Sequence, residues 1–175
     1  MKTLMTPWRM QYILGNEQKS PGCIFEAAPE TQYDKAGLIL LRNQQTVVLL
    51  NRFPYANGHL LIAPVRHLRD ITELTAAEAG ALMEMIRQSV TILRKQVRPH
   101  GFNIGLNLET VAGAGLADHL HFHVVPRWEN DHNFMTIVAE TRTVPELLAD
   151  TFDRLLPDFQ ELATPSAPAD PVTTP

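Results

Sequence analysis

The stretch Gly115–Arg127, GLADHLHFHVVPR, places three of the chain's seven histidines, His119, His121 and His123, at alternate positions. Leu120, Phe122, Val124 and Val125 supply the apolar, β-branched alternation of a strand. Side chains two apart share a face, so the strand reading sets three imidazoles in a row at a spacing of about 6–7 Å, with the opposite face turned to a core. The plainest account is a set of polar residues on the wet face of an antiparallel sheet, but histidine rarely repeats this way in surface strands. A buried imidazole must also pair both nitrogens or lose their solvation. Two chemical readings remain. In one, alternating histidines aim neutral nitrogens at a metal; in the other, one imidazole attacks phosphorus while its neighbours hold phosphate oxygens.

His119-Leu-His121-Phe-His123-Val-Val resembles the His-φ-His-φ-His-φ-φ signature (φ apolar) of the histidine triad family of nucleotide hydrolases and transferases. Asn51-x-x-Pro54-x-x-x-Gly58-His59 and Pro126-Arg127 are similar to that family too. Within it the chain most resembles the bacterial diadenosine tetraphosphate phosphorylase-like branch, on Pro7-Trp8-Arg9-Met10, Pro99-His100-Gly101-Phe102-Asn103, Gly105-Leu106-Asn107-Leu108, the run from His123 to Trp128, and Asn133-Phe134. The resemblance implies an α+β fold, a homodimer, an adenine nucleotide or dinucleoside polyphosphate as partner, and His121 as nucleophile forming a covalent nucleotidyl-histidine. The chemistry so implied requires no cofactor, and His119 and His123 contact phosphate oxygens or protonate the leaving group.

Composition is compatible with that implication. A chain of 175 residues, 45% hydrophobic and 19% charged, suits one compact domain, expected over residues 1–163. A net charge of -4 argues against polymeric nucleic acid, so the nucleotide partner should be small. The single cysteine, Cys23, forms no internal disulfide, and no run approaches the ~20 apolar residues of a membrane helix. A cytoplasmic protein that does not bind membranes is expected.

Along the chain, Pro7 to Ile13 reads as an aromatic arm packed on the body, and Lys19 to Gly22 as a turn. Gly37–Leu41 and Thr46–Leu50 form a hairpin around the polar turn Arg42–Gln45, and Gly58–Ala63 a third strand. The capping box Thr75-Ala76-Ala77-Glu78 opens a helix from about Ala76 to Lys95, with Leu82, Met83, Ile86, Val90 and Leu93 at helical spacing. Phe102–Leu106 pairs with the histidine strand, completing an antiparallel sheet of about five strands, and Met135–Val138 reads as a further short strand. A second helix, capped at Thr143–Glu146 and running to about Leu156, packs at one end, and the Pro-rich tail 164–175 is expected to be disordered.

The loop Asn107–Leu116 is rich in small residues, and Gly113 and Gly115 can bring backbone N–H groups close to phosphate. By resemblance Asn51 is the ribose contact, Asn107 a phosphate-proximal amide, and His59 a residue that steers the histidines from behind. Gly115 departs from the family, which often places glutamine or serine there to grip phosphate. Many members also carry Cys-x-x-Cys as half of a zinc site; the corresponding ligand set here is Cys23, Glu26, His67 and His119, with glutamate in place of the second cysteine. A structural Zn²⁺ held this way would leave His121 free to attack. Three functions follow as expectations. The first is cleavage of diadenosine tetraphosphate to ADP and ATP with phosphate, or hydrolysis of a nucleoside polyphosphate or phosphoramidate by water. The others are a nucleotide-binding module with vestigial chemistry and a hydrolase whose ladder holds catalytic metal.

Overall fold

The computed structural model describes residues 22–27, 29–129, 131 and 146–163. Five strands, β1 (Ile39–Arg42), β2 (Thr46–Leu50), β3 (Leu60–Pro64), β4 (Gly101–Leu106) and β5 (Phe122–Arg127), form one antiparallel sheet in the order β1-β2-β3-β5-β4. Every residue of β1, β2 and β3 is buried, because both faces of this half of the sheet are covered. On one face Leu40, Val48, Leu50, Leu60, Ile62 and Val124 pack under two helices, α1 (Ala76–Val97) and α2 (Leu148–Ala163). On the other, Ile39, Val47, Leu49, Leu61 and Ala63 surround Phe25, which is fully buried. The odd-numbered side chains of β3 and β5, including His59 just before β3, His121 just before β5, and His123, belong to this second face.

The predicted capping box is present: Thr75 accepts from the Glu78 N–H, and the Glu78 carboxylate accepts from the Thr75 N–H. α1 ends at Val97 and is capped by Arg98, whose left-handed backbone precedes Pro99.

Three expectations need correction. α2 begins at Leu148 and continues through Pro157 to Ala163, where the sequence reading ended the helix near Leu156. Proline removes one backbone hydrogen bond at a cost of about 3 kcal/mol, but Phe152, Leu155 and Phe159 are all fully buried, each worth roughly 1.5–3 kcal/mol. This helix lies against α1 and β1, the terminal strand of the sheet, as the expectation of packing at one end requires. Arg42, expected in the hairpin turn, is the last residue of β1 and is only 8% exposed. Its guanidinium donates to the Phe25 and Ala27 carbonyls, while Asn43 alone closes the turn by accepting from the Gln45 and Thr46 N–H groups.

The third correction concerns the histidine strand. Its hydrogen-bonded part starts at Phe122, because the Leu120 N–H donates to Leu68 (2.7 Å) and the chain at His119 turns toward Cys23. Among the described residues no helix is long and apolar enough to cross a membrane. The expectations for Pro7–Ile13, Lys19–Pro21, Met135–Val138, Thr143–Pro145 and the tail 164–175 lie outside the described residues.

Candidate active site

The histidines gather where β3 and β5 meet. Gly58, at φ +71° and with the Leu93 side chain 3.0 Å from where a Cβ would stand, lets the chain turn into β3 and deliver His59 to the sheet. His59 is fully buried, and its Nε2 lies 3.0 Å from His123 Nδ1. The His121 and His123 ring centroids are 5.0 Å apart, edge to face. Phe25 stands between His119 and His121, with centroids at 5.0 and 5.3 Å. Gly105 faces His123 across the β4–β5 ladder, where a Cβ would meet nothing within 4 Å, so the sheet beside His123 is open.

The hydrogen bonds fix the tautomer of each ring. Backbone N–H groups can only donate, so the Tyr55 N–H (3.1 Å) makes His59 Nδ1 an acceptor. The Asn51 amide approaches the same nitrogen (3.2 Å), oriented by its Oδ1 accepting from the Phe53 N–H. His59 therefore carries its proton on Nε2 and donates it to His123 Nδ1, which leaves the His123 proton on Nε2. His121 Nδ1–H donates to the His119 carbonyl (2.8 Å), so His121 Nε2 keeps its lone pair. His119 Nε2–H donates to the Pro64 carbonyl (2.9 Å), leaving Nδ1 to face Cys23 Sγ at 3.1 Å.

Electrostatics agree with four neutral rings. Burial, then the neighbouring His123 and His121, push His59 down to about 3. Burial and His121 push His123 down to about 4. His121 is lowered by burial against the opposing pull of the His119 carbonyl, and His119 is lowered chiefly by burial. A neutral imidazole is the nucleophilic form, so desolvation here preserves reactivity at ordinary pH.

Cys23, His67 and His119 form a second cluster, with one donor atom from each lying within 4.8 Å of the others. A thiol and two imidazoles are a donor set suited to Zn²⁺, so these residues fit the metal. Glu26, expected as the fourth ligand, does not join that set; its carboxylate accepts from His67 Nδ1–H at 2.9 Å. Burial pushes the Cys23 thiol up.

Of the remaining expected residues, Asn107 is half-buried just beyond Leu106, which pairs with Phe122. Asn51 spends its amide on His59 and the Phe53 N–H. Gly113 (φ +91°) closes a 3-10 turn over Thr110–Ala112, and its N–H donates to Thr110, so in this conformation the turn itself uses that group. Gly115 lies in an exposed bend. Glu109, at φ 66° and ψ 162°, occupies a backbone region costing about 1–3 kcal/mol for a residue with a side chain, and pairs with Arg69 at 2.8 Å. Tyr55, which stacks on His59 at 4.9 Å, Phe25 and Arg42 were not anticipated. Phe25 follows the Lys19–Gly22 turn and Tyr55 lies between the second and third strand runs, where neither belongs to a pattern; Arg42, a lone cation ending an apolar run, is the one legible signal.

A single antiparallel sheet carries neutral histidines at the β3–β5 seam, with helices on the opposite face. The HIT domain family matches residues 33–130, more than half of the chain, and the chain belongs to it. It is 40% identical over 158 residues to the AP-4-A phosphorylase of Mycobacterium tuberculosis, covering 86% of this chain and 80% of that one. Among solved structures it resembles a hypothetical histidine triad nucleotide-binding protein from Sulfolobus tokodaii (TM-score 0.62, 19% identity, 80% and 93% coverage). It also resembles a Zn-bound histidine triad family protein from Mycobacterium smegmatis (TM-score 0.58, 21% identity, 72% and 86% coverage).

Proposed function

We propose that this HIT-family enzyme cleaves a dinucleoside polyphosphate by nucleotidyl transfer through His121. The observation that carries the reading is the 2.8 Å bond from His121 Nδ1 to the His119 carbonyl, which leaves a buried, neutral Nε2 lone pair. That nitrogen attacks the α-phosphorus, a P–N bond forms as the P–O bond to the leaving polyphosphate breaks, and the leaving oxygen takes a proton. His123, with its proton on Nε2, is the donor beside it, work typically worth about 10²–10⁴ in rate. An incoming phosphate oxygen then displaces Nε2 and restores the histidine.

With diadenosine tetraphosphate and phosphate the products are ADP and ATP, a reading supported by the 40% identity to the AP-4-A phosphorylase. Gly115 offers only an N–H where a side chain often grips phosphate in the family. One missing side-chain hydrogen bond is worth on the order of 1 kcal/mol, about fivefold, which is too little to exchange phosphate for water as acceptor. Supplying the substrate with and without phosphate and identifying products tests this. ADP and ATP should form in equal amounts when phosphate is present, and AMP plus ATP should form slowly without it. A product ratio independent of phosphate concentration would make water the acceptor.

The working unit in this reading is a homodimer. Among the described residues β4 is an edge strand whose residues 103–105 are exposed, Ile104 at 48%, and such an edge is a template for pairing with a second copy. A solution mass equal to one 19.6 kDa chain would contradict it. Cys23, His67 and His119 would hold a structural Zn²⁺ that fixes His119 while His121 reacts.

A further inference from the structure

We infer that the metal site of this chain has three protein ligands, Cys23 Sγ, His67 Nε2 and His119 Nδ1, that Glu26 orients His67 from outside the ligand set, and that a small donor from solution fills the remaining position. Each ligand atom follows from the hydrogen bond made by the opposite side of its ring. His119 Nε2–H is spent on the Pro64 carbonyl at 2.9 Å, so the nitrogen left is Nδ1, which already faces Cys23 Sγ at 3.1 Å. His67 Nδ1–H is spent on Glu26 at 2.9 Å, so the nitrogen left is Nε2, and the His67 and His119 rings are 4.7 Å apart. The carboxylate behind a histidine ligand fixes the ring and raises its basicity.

Arg42 makes this arrangement specific to the turn. Its buried guanidinium holds the carbonyls of Phe25 and Ala27, so the turn that presents Cys23 and Glu26 is tied to the end of β1. Among the described residues no fourth His, Cys, Asp or Glu joins the three donors. His67 and Glu26 are both about half exposed, with side-chain exposures of 44% and 49%, so water or a small anion reaches the site from His67's side. Zinc sites with four thiolate or imidazole ligands are closed, whereas three protein ligands leave an exchangeable position.

Cobalt(II) substitution reads the ligand set directly and independently of nucleotide cleavage, so its failure would leave the proposed reaction untouched. The full chain loaded with Co²⁺ should show a thiolate charge-transfer band, absent in Cys23→Ser, and ligand-field bands that shift on adding azide. Glu26→Gln, at an exposed position that should not disturb folding, should keep the wild-type spectrum while metal affinity falls about 10–100-fold. Glu26→Cys should strengthen the charge-transfer band and abolish the azide response, by closing the site. Wild-type bands indifferent to azide, or a changed ligand-field spectrum in Glu26→Gln, would show that Glu26 is itself a ligand. Undiminished affinity in Glu26→Gln, or no cobalt band in the wild type, would overturn the inference as well.

Discussion

Replacing His59 by phenylalanine tests the tautomer relay while keeping a ring in the same space. His59 is fully buried, accepts from the Tyr55 N–H at 3.1 Å and donates to His123 Nδ1 at 3.0 Å. Phenylalanine removes both of these part-buried hydrogen bonds, at about 1–3 kcal/mol each, so the fold should lose roughly 2–6 kcal/mol. His123 is then free to move its proton to Nδ1 and to rotate, which removes the donor on its substrate side. At 1.4 kcal/mol per tenfold, losing one such interaction predicts a fall in kcat of about 10–100-fold. KM should change little, because the interaction matters when the leaving group takes its proton. His59→Gln supplies an oxygen for the Tyr55 N–H and an amide N–H for His123, so it should recover most of the rate. Steady-state kinetics on the three proteins, with ¹⁵N histidine spectra to read the His123 tautomer, provide the assay. A folded His59→Phe enzyme with wild-type kcat, or a glutamine variant as slow as the phenylalanine one, would refute the relay.

Acid should destabilise the fold through the same residue. Because His59 falls from its ordinary 6.5 to about 3 on folding, the unfolded chain binds its proton first, and stability present above pH 6.5 is lost as pH falls toward 3. The slope is about 1.4 kcal/mol per pH unit, so His59 alone should remove roughly 2 kcal/mol of unfolding free energy between pH 7 and pH 5, with His123 acting in the same direction; equal unfolding free energies from urea titrations at the two pH values would count against neutral buried histidines. Phe159→Ala should cost about 3–5 kcal/mol by opening a cavity beneath α2, and a loss under 1 kcal/mol would mean the helix does not pack beyond Pro157. Chelation should lower the melting temperature yet leave kcat unchanged at a temperature where the protein stays folded. A kcat abolished by chelation and restored by zinc would place the metal in the chemistry.

Much of this architecture was legible because it depends on patterns that a sequence carries. The apolar runs Thr46–Leu50 and Leu60–Pro64 and the Thr75–Glu78 box set β2, β3 and the start of α1 through side chains alone. α2 was misjudged because proline is read as a stop, while the burial of Phe159 two residues later is a tertiary effect invisible to propensity. Alternation identified the histidine face, but the β5 ladder begins only at Phe122, since Leu68 captures the N–H of Leu120. The tautomers were beyond a sequence reading for a different reason. Tyr55 N–H and the carbonyls of His119 and Pro64 are backbone groups that any residue could supply, and only the fold sets them against the rings. Glu26 shows the same limit: its type suggested a ligand, and no sequence pattern indicates that its carboxylate accepts a hydrogen bond from His67 in the fold.

The central claim is that His121 Nε2 becomes covalently nucleotidylated. Rapid mixing with diadenosine tetraphosphate labelled at the α-phosphorus, alkaline quench and peptide mapping would locate the bond. Acid-labile, alkali-stable label on the peptide carrying His121, formed and discharged at rates that account for turnover and absent from His121→Ala, is the predicted result. Turnover by His121→Ala at the wild-type rate, or label that settles on another residue, would contradict it.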